Sequence, residues 1–260
     1  MRVWAIANQK GGVGKTTTTL ALGRALAIRG ARVLLVDLDP HASLTRAFGL
    51  PAEPAPAGVL DLFDRPDSEL QQLARSSDIE HLAYLPAQTA LATLERRSAT
   101  QPGLGLALSN ALARGGHAYD HVLFDCAPTL GLLMVNALAA ADHLVIPTQT
   151  EPLALHGLNG MLRTAAMIER SRQRELLVSV LPTLHDRRTR TGNETLKAMQ
   201  DAHGERVWDD AIPNDTRLCR IQVLTESSLP NAYPGRALSA YRRALDWLLN
   251  RHAGLQEQAA

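Results

Sequence analysis

The stretch V-W-A-I-A-N-Q-K-G-G-V-G-K-T-T, residues 3–17, decides the fold. It opens as a short, mostly apolar, strand-like run and ends in a helical pattern that continues to Arg29. Between the two, Lys10, Gly11, Gly12 and Val13 lead to Gly14, Lys15 and Thr16. This is the spacing of a phosphate-binding loop in which Gln9 stands where a first glycine would be. Glycines let backbone N–H groups turn inward around phosphate oxygens. A helix beginning near Lys15 adds the partial positive charge of its N-terminus. Lys15 can reach the β- and γ-phosphates, and the Thr16 hydroxyl can ligate Mg²⁺. A glycine-rich turn carrying a lysine by chance would need neither the strand before it nor the helix after it.

Working outward, short apolar runs alternate with helical patterns. The runs are residues 3–7, 33–37, 82–86, 121–125, 143–147, 177–182 and 207–212. Helical patterns fall at 16–29, 104–114, 131–140, 157–171, 191–203 and 235–251. Such alternation predicts an α/β fold, a single-domain P-loop NTPase with a mainly parallel twisted β-sheet flanked by helices on both faces. The domain is expected over residues 1–252, with 253–260 as a flexible C-terminal tail, and Pro51–Gly58 reads as a surface loop rather than a linker.

Composition agrees with one full core: 260 residues, 45% hydrophobic. The formal charge of +1 neither requires nor excludes nucleic acid, so charge has to be read locally. Two cysteines, Cys126 and Cys219, make neither a disulfide framework nor a zinc site and suit a reducing cytoplasm. Nine scattered histidines show no ligand spacing. No leader segment is expected before the phosphate loop.

Two acidic motifs accompany the loop. D-L-D-P-H-A-S, residues 37–43, places Asp37 and Asp39 at the carboxyl end of a strand, where Mg²⁺ and water would sit, or where they would simply cap the following turn. F-D-C-A-P-T-L-G, residues 124–131, ends a buried strand on Asp125. Cys126 beside it has no evident histidine partner and reads as a small core residue.

Lys10 is an addition that an ordinary phosphate loop does not need. It marks the deviant Walker A loop, and on it the chain resembles the ParA/MinD family of P-loop ATPases. The resemblance spans roughly residues 2–250. It implies ATP and Mg²⁺ as ligands, with Gly11, Gly12, Val13, Gly14, Lys15, Thr16 and Thr17 around the phosphates. It puts Thr16, Asp37 and Asp125 near the metal and Asp39 on the attacking water. Lys10 would reach the partner subunit's nucleotide in an ATP-dependent homodimer and join Lys15 and Asp39 in hydrolysis. A-I-P-N-D-T-R-L, from Ala211, resembles the loop near the adenine and makes Pro213, Asn214 and Asp215 candidates there. I-P-T-Q-T-E-P, from Ile146, leaves Glu151 either on the ribose, across the dimer or structural. His41 and Ser43 stand where the family usually has Gln and often Asn.

The resemblance further implies nonspecific DNA and an activating cargo adaptor as partners, in a cytoplasmic protein found at the nucleoid or the pole. D-R-R-T, from Asp186, puts Arg188 on a DNA-contacting position; Arg217 falls on another and Arg220 extends the patch, although a merely solvated arginine face remains the alternative. After Leu218 the chain reads C-R-I-Q-V rather than A-E-A-P-S, a departure from ordinary chromosome segregation. Other segments, Leu91–Arg97 among them, resemble ParA-like proteins of chemotaxis gene clusters, which implies a chemoreceptor array as the positioned cargo, with a plasmid or chromosome as the alternative. A MinD-like membrane switch would need a basic amphipathic C-terminal helix, and Gly254–Ala260 carries no lysine, so membrane attachment is not expected. A metabolic P-loop enzyme is the third reading, without a visible acceptor pocket.

Overall fold

β1 (Arg2–Ile6) runs through the middle of the molecule, buried from Val3 onward. A computed structural model describes residues 1–51, 54–94, 97, 103–172, 174–219, 224–227 and 235–258. After β1 come α1 (Lys15–Ile28), β2 (Val33–Leu38), α2 (Ser43–Ala47), α3 (Val59–Asp64), α4 (Leu70–Leu73), β3 (Arg75–Ser76) and β4 (Leu82–Leu85). Then follow α5 (Ala107–Gly115), β5 (His121–Cys126), α6 (Leu132–Ala140), β6 (His143–Gln149), α7 (Pro152–Arg172), β7 (Leu177–Thr183), α8 (Arg190–His203) and α9 (Arg236–Gln258).

Among the described residues the strands form one sheet in the order β3-β4-β2-β5-β1-β6-β7. Every pairing is parallel except that of the short edge strand β3 with β4. The central strands are apolar on both faces, as a sheet covered on both sides requires. On one face Val3, Ala5, Val36, Phe124 and Ile146 pack with Leu112 of α5, Leu138 of α6 and Met161 of α7. On the other, Trp4, Ile6, Leu35, Leu123 and Leu181 pack with Leu22 of α1 and Tyr241, Leu245 and Leu248 of α9. Each fully buried leucine contributes about 2 kcal/mol to this arrangement. The expected parallel α/β architecture is the observed one.

Boundaries differ instructively. Residues 207–212 do not form the expected strand. Val207 makes a lone bridge to Val180, and Pro213 makes another to His185. Asp209 and Asp210 fit a pleated surface poorly, and Pro213 has no N–H to donate. The segment still follows the sheet edge, with Trp208 N donating to Val180 O (3.1 Å) and Ile212 N to Pro182 O (2.9 Å). α7 begins at Pro152, five residues before the periodicity suggested, because proline suits a first helical turn. α9 continues to Gln258, through residues the sequence marked as a polar tail. Its apolar residues Ala237, Tyr241, Leu245 and Leu248 are buried in the core, so they are not available to a membrane surface. Among the described residues no helix is long and apolar enough to cross a membrane. Glu95, Arg96, Arg220 and Ile221–Val223, which carry parts of the sequence argument, lie outside the described residues.

Candidate nucleotide site

The carboxyl ends of β1, β2 and β5 converge where successive connections diverge, from β1 past β5 to β2 on one side and from β5 past β1 to β6 on the other. Such a switch point opens a crevice in a parallel sheet. Residues between β1 and α1 wrap over it. Gly12 and Gly14 adopt φ of 73° and 89°, left-handed conformations that glycine tolerates best. No atom lies within 4 Å of where a Cβ would stand on Gly11, Gly12 or Gly14, so the loop faces open space. α1 has no side-chain cap and no acidic residue in its first turn. Its first N–H groups therefore have no anionic side chain of this helix to satisfy them, as an anion cradle requires. The Thr183 hydroxyl donates to Val13 O (2.9 Å), tying the loop to β7.

Lys15 is buried, and its Nζ donates to the carbonyl of Lys10 (3.1 Å). Burial lowers its pKa, against the pull of Asp125, Cys126 and Asp39. Beneath it, Asp37 and Asp125 are paired in register on β2 and β5. Asp37 is saturated: Thr45 donates its N–H (2.8 Å) and hydroxyl (2.7 Å) to Oδ2, and Asp39 N donates to Oδ1 (3.1 Å). Asp125 is different. Oδ1 accepts from the Thr19 hydroxyl (3.3 Å), whereas Oδ2 is buried without a hydrogen-bond partner. Burial raises the pKa of both carboxyls; Asp37 adds to the rise at Asp125, and Asp39 adds to both. Two adjacent buried carboxyls, that of Asp125 with one orphaned oxygen and within reach of the Thr16 side chain, fit a divalent cation. The cation would be held by Asp125 and Thr16, with Asp37 bracing the turn behind them.

Asp39 lines the crevice. Its Oδ1 accepts from the His41 backbone N–H (2.9 Å) and meets His41 Nδ1 at 2.8 Å. A cavity of about 430 Å³ extends from Gly11, Gly12, Gly14, Lys15, Thr16 and Thr17 past Asp39 and Ser43 to Pro213, Asn214 and Asp215. Val13 is buried behind it rather than lining it. Asp215 touches the cavity, but its carboxylate is occupied by the Arg217 fork (2.9 and 2.8 Å) and by the backbone N–H of Ala237 in α9. Cys126 is buried, and burial raises its thiol pKa, which agrees with the core role expected of it.

Lys10 does not line this cavity. It reaches the end of β6, where Nζ donates to Gln149 Oε1 (2.6 Å) and pairs with Glu151 (3.2 Å). Residues without a local sequence signal complete the site. Thr45 anchors Asp37. Tyr241, from α9, lines the cavity and meets the Thr18 hydroxyl at 3.0 Å. Leu218, the last residue of the A-I-P-N-D-T-R-L segment though not singled out there, also lines it.

A second, larger depression of about 580 Å³ shares Pro213 and Asn214 with the first. Arg187, Arg188, Arg236 and Arg243 line it. Arg188 forks onto Asp186, and Arg187 and Arg243 share Asp210. Arg217 lies beside it on Asp215, and Arg220 is outside the described residues.

Residues 1–178 match the family described as an AAA domain. Over 218 residues the chain is 36% identical to the sporulation initiation inhibitor protein Soj of Bacillus subtilis, covering 84% of this chain and 86% of Soj. It is 32% identical over 263 residues to the chromosome partitioning protein ParA of Caulobacter vibrioides, covering 100% of this chain and 98% of that protein. The chain belongs to the ParA/MinD family of P-loop ATPases. Among solved structures, this ParA-family chain superimposes with a TM-score of 0.84 on cobyrinic acid a,c-diamide synthase from Mycobacterium smegmatis. The two are 34% identical, covering 97% of this chain and 96% of that one, whose structure holds ADP and magnesium. The same protein has also been seen with an ATP analogue and magnesium.

Proposed function

We propose that the chain is an ATP- and Mg²⁺-dependent dimerising switch of the partitioning type, which hydrolyses ATP, binds nonspecific DNA in its ATP form and positions a large cargo under the control of an adaptor protein. The observations that carry the nucleotide part are the glycine cradle facing open space and the orphaned Asp125 Oδ2. The loop N–H groups and Lys15 bind the triphosphate, and Thr17 reaches the α-phosphate. Thr16 and Asp125 would hold Mg²⁺, which would supply neutralisation of the phosphate charge. Asp37 keeps the β2 turn in place, and Asp39 orients water toward the γ-phosphorus. Asn214, Pro213 and Leu218 enclose the base. Lys10 leaves Gln149 and Glu151 to reach the phosphates bound by the partner subunit, and it stabilises charge as the γ-phosphate departs.

The DNA part rests on the arginine depression beside the nucleotide cavity and on the kinship with Soj and ParA. Cargo candidates follow from two sources: the relatives' names point to a chromosome, and the chemotaxis-cluster resemblance of segments such as Leu91–Arg97 points to a chemoreceptor array. Identifying what co-purifies with a tagged chain separates them. The name of the Mycobacterium smegmatis relative favours a second reading, an enzyme whose ATP turnover depends on cobyrinic acid.

The decisive experiment measures binding of the Asp39→Ala protein to nonspecific duplex DNA with ATP and with ADP over a salt series. ATP-dependent, salt-sensitive binding that is lost in Arg188→Ala or Arg217→Ala supports the partitioning reading. An ATP dimer that ignores DNA refutes it, and ATP turnover that requires cobyrinic acid selects the metabolic reading.

A further inference from the structure

The two arginines proposed to meet DNA share one unusual construction. Arg188 follows Asp186 by two residues, and Arg217 follows Asp215 by two. In each turn the aspartate Oδ1 accepts the arginine backbone N–H, at 3.0 Å for Arg188 and 3.1 Å for Arg217. In each, the guanidinium Nε and Nη2 then fork onto the same carboxylate, at 2.9 and 2.7 Å in the first turn and 2.9 and 2.8 Å in the second. The lone bridge between His185 and Pro213 sets the two turns side by side. His185 N donates to Ile212 O and Asn214 N donates to His185 O, both at 3.0 Å.

The fork uses the Nε/Nη2 edge, which fits carboxylate and phosphate alike. An arginine held this way presents little net charge. The side chain of Arg188 is nonetheless 89% exposed, so an approaching phosphate meets the pair and not a buried ion. Exposed pairs of this kind are weak enough to be exchanged. The neighbouring wall repeats the theme, with Arg187 and Arg243 both spent on Asp210.

Resting on the DNA-binding reading above, we infer that Asp186 and Asp215 are built-in competitors of the DNA phosphate: each holds the gripping edge of its arginine until DNA displaces it, and together they keep DNA affinity low enough for release. Binding then exchanges a carboxylate for a phosphate. The freed carboxylate recruits a cation from solution, which offsets the counterion that the phosphate gives up. Affinity and salt dependence both fall short of what the arginine count would give.

The test uses the full chain in the Asp39→Ala background with ATP, and nonspecific duplex DNA as the probe. Asp186→Asn keeps a side chain that can accept the Arg188 N–H but removes the charge. Expected is DNA affinity about three- to tenfold higher at low salt, with a log-log salt slope steeper by roughly two for a dimer carrying the change twice. Asp186→Glu retains the charge and should leave the slope at the wild-type value. Asp215 also accepts from Ala237 N at the start of α9. Asp215→Asn is therefore read only after its melting temperature matches the parent, and it should act in the same direction. Unchanged or weaker binding by Asp186→Asn, with the parent still bound to DNA, overturns the competitor role and leaves the DNA reading standing. Failure of parent and variant alike to bind DNA removes the DNA reading and this inference with it.

Discussion

Lowering the pH from 7.5 to 5 should destabilise the protein through a group of histidines at the opposite end of the strands from the nucleotide. Trp4 is fully buried there, and its Nε1 donates to His252 Nε2 on α9 (3.0 Å). His121 and His143 meet the Trp4 ring edge-on, with centroids at 5.6 and 5.4 Å. His143 Nε2 lies 2.8 Å from Ser179 Oγ on β7. Nδ1 of His121 and of His143 is buried without a partner. Arg2, Arg251 and the N-terminus add positive charge nearby, and Asp120 opposes them. Burial first, and then Arg2, lowers His121 and His252 from 6.5 to about 4, and burial lowers His143 well below its ordinary value. The unfolded chain therefore takes up protons below pH 6.5 that the folded chain refuses. Stability is full above that value and is lost as pH falls toward the folded values.

Each pH unit in this window costs about 1.4 kcal/mol per histidine, or roughly 2 kcal/mol each at pH 5. His252 is only partly buried, so solvent screening reduces its share to about 1 kcal/mol. The three together give about 4 to 5 kcal/mol, a large part of an ordinary folding free energy. Buried Asp37 and Asp125 act with the opposite sign, because burial raises both. The assay is therefore comparative: thermal melts at pH 7.5, 6.5, 5.5 and 5.0 of the wild type and of His121→Gln/His252→Gln. Glutamine is neutral throughout and can still accept from Trp4. Removing these two histidines should recover about 3 kcal/mol of the acid loss, which raises the melting temperature at pH 5 by about 9 °C relative to the wild-type change. Parallel curves for both proteins would refute the argument.

The remaining expectations concern the nucleotide. Lys15→Ala should weaken ATP binding by about 3 kcal/mol, more than a hundredfold, since it removes a buried charge-assisted contact; tight binding by equilibrium titration would sink the phosphate-loop assignment. Lys10→Ala should bind ATP normally but remain monomeric by light scattering, because its Nζ points to Gln149 and Glu151 and not into the chain's own cavity. An intact ATP dimer would take Lys10 out of the interface. Asp39→Ala should accumulate an ATP-bound dimer with turnover reduced at least about tenfold, a modest share of what a positioned general base contributes. Normal phosphate release would exclude its role on water.

The sequence by itself determined the phosphate loop, the alternation of strands and helices and the places of Asp37, Asp39 and Asp125 at strand ends. These are local matters: positive φ at Gly12 and Gly14, runs buried on both sides and helix starts are written within a few residues. The sequence also overextended one such rule at 207–212, where apolar residues follow the sheet edge without forming a strand. Only the tertiary structure decided how these pieces face one another. The β2–β5 register makes neighbours of Asp37 and Asp125; Thr45 and the Asp39 N–H satisfy Asp37, while Asp125 Oδ2 is left orphaned. Asp215, which looked like a nucleotide contact, is spent on Arg217 and on the start of α9. Nine scattered histidines gave no spacing to read, yet strand starts on β5 and β6 and the end of α9 gather three of them around Trp4. Parallel pairing joins residues more than a hundred positions apart. Their contacts depend on register and on which face each strand turns to a helix, and no local pattern encodes either.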